Sequence, residues 1–501
     1  MSPAWVWTGV AIFVVISLVA AIWSRAGRSA DMSDYFLGGR RMGGLVSGLS
    51  YSATTYSAFM LIGLAGLTYT GGVGALGFEL LYLCGVTLVL VFGPRFWRVG
   101  RAYGYVTPSE MIGHRYRSQA AGTTTALASF VFLLPYAAVQ LAGVGYLLSG
   151  MTGGAISFTA GTLIALALAV AFAMIAGLRS VAWTDSVQAV VMILGATLVV
   201  IIVISQLGGL GSFFDSLSSD YPGALSVPGD GFFTFSTFLA LTLPWIFFSI
   251  SNPQVSQRLF TPGSLGDLRR MLISFLVFGL IYTFVAVFWG FAARIHFPGL
   301  EEPDSATPTL LASDLVPTPL AIIVMVGIMA ACISTIDSIM LTLSSMISRD
   351  VVNARKGVTE RTQLLVGKLV IPVVGVLAYL FAHLQLDLIA VLSVSASAGL
   401  LVIVPATIGA FFWRRGTAAG VISSVLVAGT LVLALEYSGQ RLLGQGSGVW
   451  GLVVAVVVFV GVSLATSAPR AHADEFITAS RRPATPAAAD ATSRSAAARR
   501  A

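Results

Sequence analysis

Between Met329 and Asp350 the chain reads MAACISTIDSIMLTLSSMISRD, apolar over most of its length yet carrying Ser334, Thr335, Asp337 and Ser338 within five residues. Ser334, Ser338 and Thr342 recur at i, i+4 and i+8, so on a helix they share one face, with Ala331 beside them. Thr335 and Asp337 flank that stripe. The hydroxyls of Ser334 and Thr335 and the carbonyl of Ala331 offer three oxygen ligands to a small cation. Further carbonyls must come from elsewhere. Neutral oxygens cancel no charge, so such a site is weak and reversible, which suits an ion that must leave again. The same groups also serve interhelical hydrogen bonding. Asp185 adds a carboxylate about one and a half turns into the apolar segment 181–205. It can face Ser338 as part of an ion path, or pair with Arg179 at a membrane edge. A carboxylate inside an apolar span points to function. Glu79 is another, and beyond a polar contact the sequence assigns it no role.

Positioning these groups falls to membrane helices. The chain has 501 residues, of which 56% are hydrophobic and only 10% charged. A soluble domain carries about 25% charged residues. Thirteen segments are apolar for roughly the 20 residues that cross a bilayer as helix: 5–23, 44–68, 73–93, 123–149, 157–177, 181–205, 231–250, 271–293, 320–348, 363–381, 387–412, 417–435 and 448–468. They are too long for barrel strands. The expected fold is an all-α polytopic membrane protein. Cys84 and Cys332 lie in separate apolar segments and build no disulfide framework or metal cluster.

Basic residues fall in alternate connections. Arg25, Arg28, Arg40 and Arg41 follow the first span, Arg95 to Arg117 the third, Arg179 the fifth, and Arg258, Arg269 and Arg270 the seventh. Arg349, Arg355, Lys356 and Arg361 follow the ninth, and Arg414 and Arg415 the eleventh. The connection 206–230 carries Asp215, Asp220 and Asp230 instead. By the positive-inside rule the N-terminus is outside and the C-terminus cytoplasmic, in a plasma-membrane protein. This accounts for the net charge of +7 without nucleic acid. Residues 471–501, rich in Ala, Pro, Ser and Thr, are expected to be a disordered cytoplasmic tail.

Two spans look interrupted. The second holds Ser47, Ser50, Ser52, Thr54, Thr55 and Ser57; the seventh holds Pro244, Ser249, Ser251, Asn252 and Pro253. Pro244 removes a helical hydrogen bond, and a freed carbonyl at bilayer depth needs a cavity or an ion as partner. The two spans open successive sets of five. Matching interruptions in two halves point to an inverted-repeat transporter. This gives a 5+5 core: a leading helix at 1–24, a first repeat at 44–205, a second at 231–412, and two trailing helices at 417–468.

These same segments carry a family resemblance. DYFLGGRRMG at 34–43, SYSATTYSAFMLIGLAG at 50–66, WTDSVQ at 183–188, NPQVSQRLF at 252–260 and ACISTIDS at 331–338 occur in the order and spacing of the sodium/solute symporter family. That family includes proline, pantothenate, sialic acid, glucose, iodide and monocarboxylate carriers. The resemblance covers about residues 5–468. It implies a leucine-transporter-like core with a sodium ion between the first and eighth core helices. Its ligands here would be the carbonyls of Ala53, Tyr56 and Ala331 and the hydroxyls of Ser334 and Thr335. A second cation site in some members maps onto Asp185 and Ser338. The proline carrier has an aspartate where this chain has Thr55, which weakens transfer of the proline assignment.

The expected activity is sodium-coupled import of a small polar organic solute, such as proline or another amino acid, a monocarboxylate or pantothenate. Candidate liners of the solute site are Thr54, Ser57, Tyr136, Gln140, Trp245, Ser249 and Gln254. No arginine is expected in the middle of these core spans to grip a carboxylate, so a helix N-terminus at a break is left to hold an anionic group. No nucleophile–base pair or metal cluster argues for an enzyme. The expected partners are the solute, sodium and the lipid bilayer, with no obligate protein partner. The rival readings are a channel and a non-transporting membrane sensor or scaffold. No selectivity-filter-like loop is seen for the first, and no output domain for the second.

Overall fold

The computed structural model describes residues 2–23, 32–352, 358–384 and 389–481. Among the described residues ten helices are long and apolar enough to cross a membrane, and Pro3–Val19, Phe59–Gly71 and Phe158–Met174 are shorter apolar helices. Every one of the thirteen expected spans has a helix in its place. The chain is an all-α, multi-pass membrane protein. Six long helices start on a Ser or Thr whose side chain accepts an otherwise unpaired backbone N–H: Ser118, Ser157, Thr234, Ser264, Thr359 and Thr417. The fifth and sixth spans differ from expectation. They lie in one helical segment, Phe158–Gln206, because backbone helicity persists through the expected turn beside Arg179.

Both expected interruptions are present, but one lies elsewhere. The first broken helix runs as Gly44–Thr55, leaves helical geometry at Tyr56 (ψ 74°), and resumes as a wide π-turn at Phe59–Leu64 before Ala65–Gly71. The second passes through Pro244 unbroken as Phe235–Ser251. It breaks at Asn252 (ψ 114°), immediately before Pro253. A residue that precedes proline is driven out of the α region, whereas the bond lost at Pro244 bends a helix without ending it.

The serine-rich helix is Thr318–Met346, and every residue from 327 to 346 is buried. It packs along Phe158–Gln206 and Gln119–Met151, and touches the first broken helix. This is why it tolerates four polar residues in five: none of them meets lipid. The lipid-facing surface is carried by other helices through side chains such as Leu194, Ile201, Val277, Leu369 and Leu380. The first broken helix packs on Leu265–His296, and Phe235–Ser251 packs on Gly74–Val86. At Gly85 the backbone of Ile246 comes so close that an added Cβ would lie 2.5 Å from it.

The tail departs from expectation. Arg470–Arg481 is a helix that buries Ala473, Phe476, Ile477 and Ser480, spaced i, i+3, i+4 and i+7 along one face. It packs on the helix Leu88–Tyr103, with Phe476 stacked on Tyr103 at 6.1 Å between ring centres. An apolar stripe this short does not stand out from so polar a composition. Residues 482–501 lie outside the described residues.

Candidate functional site

The break in the first helix changes what its carbonyls can do. In an unbroken helix Ala53 and Thr54 would accept from the N–H groups four residues on. Here the Ala58 N–H donates to Gln140 Oε1 (3.3 Å). The carbonyls of Ala53 and Thr54 instead accept from the Thr335 hydroxyl, at 3.1 and 3.3 Å. The kink therefore turns two backbone oxygens toward the serine-rich helix. Ser334 lies one residue away and donates its hydroxyl to Asp185 Oδ1. Of the five expected sodium ligands, Ala53, Thr335 and Ser334 are thereby brought to one junction between the two helices. Tyr56 lies at the break, and Ala331 one helical turn before Thr335. These are hard oxygen donors, of which the Ala53 carbonyl and the Thr335 hydroxyl are held only by long hydrogen bonds to each other, and they fit a small monovalent cation.

Asp185 is fully buried, and the side chain of its other expected partner, Arg179, lies outside the described residues. Asp185 Oδ2 accepts from Ser50 (2.7 Å) and faces the Arg258 guanidinium at 3.7 Å. Arg258 also donates to Ser50 (2.5 Å) and to Ser338 (2.6 Å), while Ser338 lies 3.3 Å from Thr54. Arg258 was expected in a basic connection at the membrane edge. It is instead 3% exposed, because the chain beyond the Asn252 break turns back into the core as Pro253–Phe260. Its only sequence signal was its place within NPQVSQRLF. The guanidinium therefore stands between Asp185 and Ser338, the two residues expected to share a second cation. Asp337 lies on another side of Asp185. It is 3% exposed, its Oδ1 makes no hydrogen bond, and it lines a small cavity with Asp185, Ser334, Thr184, Gln188 and Ser17.

The expected solute liners divide. Thr54 and Gln140 are engaged at the break, and the Ser57 hydroxyl accepts from the Phe59 N–H at 3.4 Å. Ser249 and Gln254 are buried with polar atoms that make no hydrogen bond, while buried Tyr136 faces Ser57 and buried Trp245 faces Glu79 without a close hydrogen bond. Trp245 lines a closed pocket with Thr55, Tyr56, Phe59, Glu79, Tyr82 and Phe248. Glu79, Tyr82 and Phe248 were not expected there. The available signal was Glu79 and Tyr82 three residues apart, on one face of an apolar helix.

The sodium:solute symporter family model matches residues 35–428. The chain belongs to that family. It is 28% identical over 474 residues to the sodium/pantothenate symporter of Escherichia coli, covering 92% of this chain and 96% of that one. It is 25% identical to the sodium/proline symporter of Staphylococcus aureus, covering 93% of each. The fold matches a solved Na+-coupled sialic acid symporter in a substrate-bound outward-open state, with a TM-score of 0.78 at 20% identity over 93% of this chain and 98% of that one. As a family member the chain is a symporter: sodium is its coupling ion and a small organic solute its cargo.

Proposed function

We propose that this symporter imports a small polar solute by alternating access, with proline or another amino acid, a monocarboxylate and pantothenate as the solutes to test first. The pantothenate and proline relatives support that range. The observation that carries the site assignment is the pair of carbonyls at Ala53 and Thr54, released by the break and facing Thr335. Sodium would be held there by the carbonyls of Ala53, Tyr56 and Ala331 and the hydroxyls of Ser334 and Thr335. It supplies the inward gradient that drives uptake. Because its ligands come from two helices, binding favours the arrangement in which those helices are together, and this couples the ion to the solute site.

Ser334 links this site to Asp185. A second cation, if carried, would lie with Asp185, Ser334 and Asp337 in their shared cavity, since Arg258 already neutralises the Ser338 side of Asp185. The repeats 44–205 and 231–412 would supply the moving halves. The alternation of basic connections puts the N-terminus outside and the C-terminus in the cytoplasm of a plasma-membrane carrier. The test is uptake of a panel of radiolabelled solutes into proteoliposomes, with and without an inward sodium gradient. Accumulation that needs sodium supports the proposal. Accumulation driven by a proton gradient, with sodium without effect, rejects it.

A further inference from the structure

We infer that the transported solute carries an ammonium group, held between the Glu79 carboxylate and the rings of Tyr56, Phe59, Tyr82, Trp245 and Phe248. The inference rests on the symport reading of this site and narrows its substrate class.

Glu79 has no exposed surface, and its carboxylate has no close hydrogen-bond partner, the Trp245 indole N–H being the donor that faces it. A lone buried carboxylate is costly, and a proton or a cation relieves that cost; an ammonium solute takes the proton's place. Arg258 does not supply one: it is committed to Asp185, Ser50 and Ser338. The pocket lining contains no Arg, Lys or His. What surrounds Glu79 is aromatic. Trp245 lies 4.8 Å from Phe248, 5.1 Å from Phe59 and 5.8 Å from Tyr82 between ring centres. Tyr82 lies 5.7 Å from Phe248 and 6.2 Å from Tyr56. Ring faces attract a soft organic cation, whereas sodium prefers the oxygens at the break. The hydroxyls of Tyr56 and Tyr82 make no hydrogen bond and are free to accept from N–H groups. The side chains are drawn together, so the solute enters a state in which they part.

A carboxylate finds no cation in this pocket, only neutral donors such as Trp245 Nε1 and, nearby on the second broken helix, Gln254 Nε2. The expected anion anchor is a helix N-terminus at a break, such as the one after the first break. Its amides are already used: Ala58 N–H by Gln140, Phe59 N–H by the Ser57 hydroxyl and Met60 N–H by the Ser57 carbonyl (3.2 Å). The charged group of this pocket is the Glu79 carboxylate, which an ammonium group complements and an anion repels.

The test is equilibrium binding to the purified full-length carrier in sodium, with radiolabelled choline, ethanolamine, proline, lactate, pantothenate and glucose as probes and 22Na binding measured on the same protein. Saturable binding is expected for at least one of the three ammonium-bearing probes. Glu79→Gln should weaken it about thirtyfold or more, the effect of deleting one side of a buried charge pair, with 22Na binding retained. Glu79→Asp keeps the charge and should keep measurable binding, which separates loss of charge from loss of fold. Two results overturn the inference and leave the symport reading standing. One is saturable binding of lactate, pantothenate or glucose that Glu79→Gln does not change. The other is 22Na binding with no binding of any ammonium probe. A wild-type carrier that neither binds 22Na nor accumulates any solute under a sodium gradient refutes the symport reading, and this inference with it.

Discussion

Arg258 and Asp185 face each other at 3.7 Å, both essentially buried. With an effective dielectric constant of about 20, their attraction is 332/(20 × 3.7), or about 4.5 kcal/mol. Removing one side of a buried pair typically costs about 3–5 kcal/mol, because the other charge is left uncompensated. Arg258→Met should therefore destabilise the carrier by roughly that amount. Asp185→Asn should do the same, by stranding the guanidinium. The double variant, neutral on both sides, should recover most of the loss, with a coupling of at least about 2 kcal/mol. The assay is the fraction of monodisperse protein surviving a temperature ramp in one detergent, followed by size-exclusion chromatography, for all four proteins. A double variant no more stable than the worse single one refutes the reasoning, and would mean that Asp185 is valued for a cation other than Arg258. Sodium adds an independent reading. If Asp185 and Asp337 hold a second ion, Asp185→Asn should lower the sodium-to-solute ratio given by reversal potentials in proteoliposomes. An unchanged ratio in active protein leaves one ion at Ser334 and Thr335.

Ser334→Ala and Thr335→Ala each remove one oxygen from the break, and should raise the sodium concentration for half-maximal uptake by about tenfold, the worth of one hydrogen-bond-strength contact to a charged group. Protein abundance should change little, and unchanged sodium dependence in both variants would exclude a coupling role for these hydroxyls. Single cysteines placed at residues 216–229 and at residues 351–360 should react with an impermeant reagent from opposite sides of the membrane; labelling from one side only rejects the thirteen-span topology. Phe476→Ala removes the ring stacked on Tyr103 and should release the helix Arg470–Arg481, seen as new tryptic cleavage after Arg470 with uptake retained.

The sequence by itself determined the class of the molecule. Thirteen apolar runs, few charges and the order of five short motifs specified an all-helical symporter, because lipid imposes an apolar length that composition shows directly. It also marked the serine-rich helix and the two interruptions, since Ser, Thr, Asn and Pro in an apolar run are local anomalies that need no partner to be seen. What it left open was who faces whom. Arg258 read as an edge charge because sequence counts residues along the chain, and only the break at Asn252 shows that the chain turns back into the core. For Asp185 the sequence offers Arg179 or an ion path; Arg179's side chain lies outside the described residues, and the tertiary structure adds Arg258, Ser50 and Ser334, which come from three different helices. Glu79 stayed without a role because a carboxylate acquires meaning from what surrounds it, and its rings come from the first and second broken helices and from its own. Pairings of this kind depend on helix rotation and tilt, which packing across distant segments sets and a linear pattern does not encode.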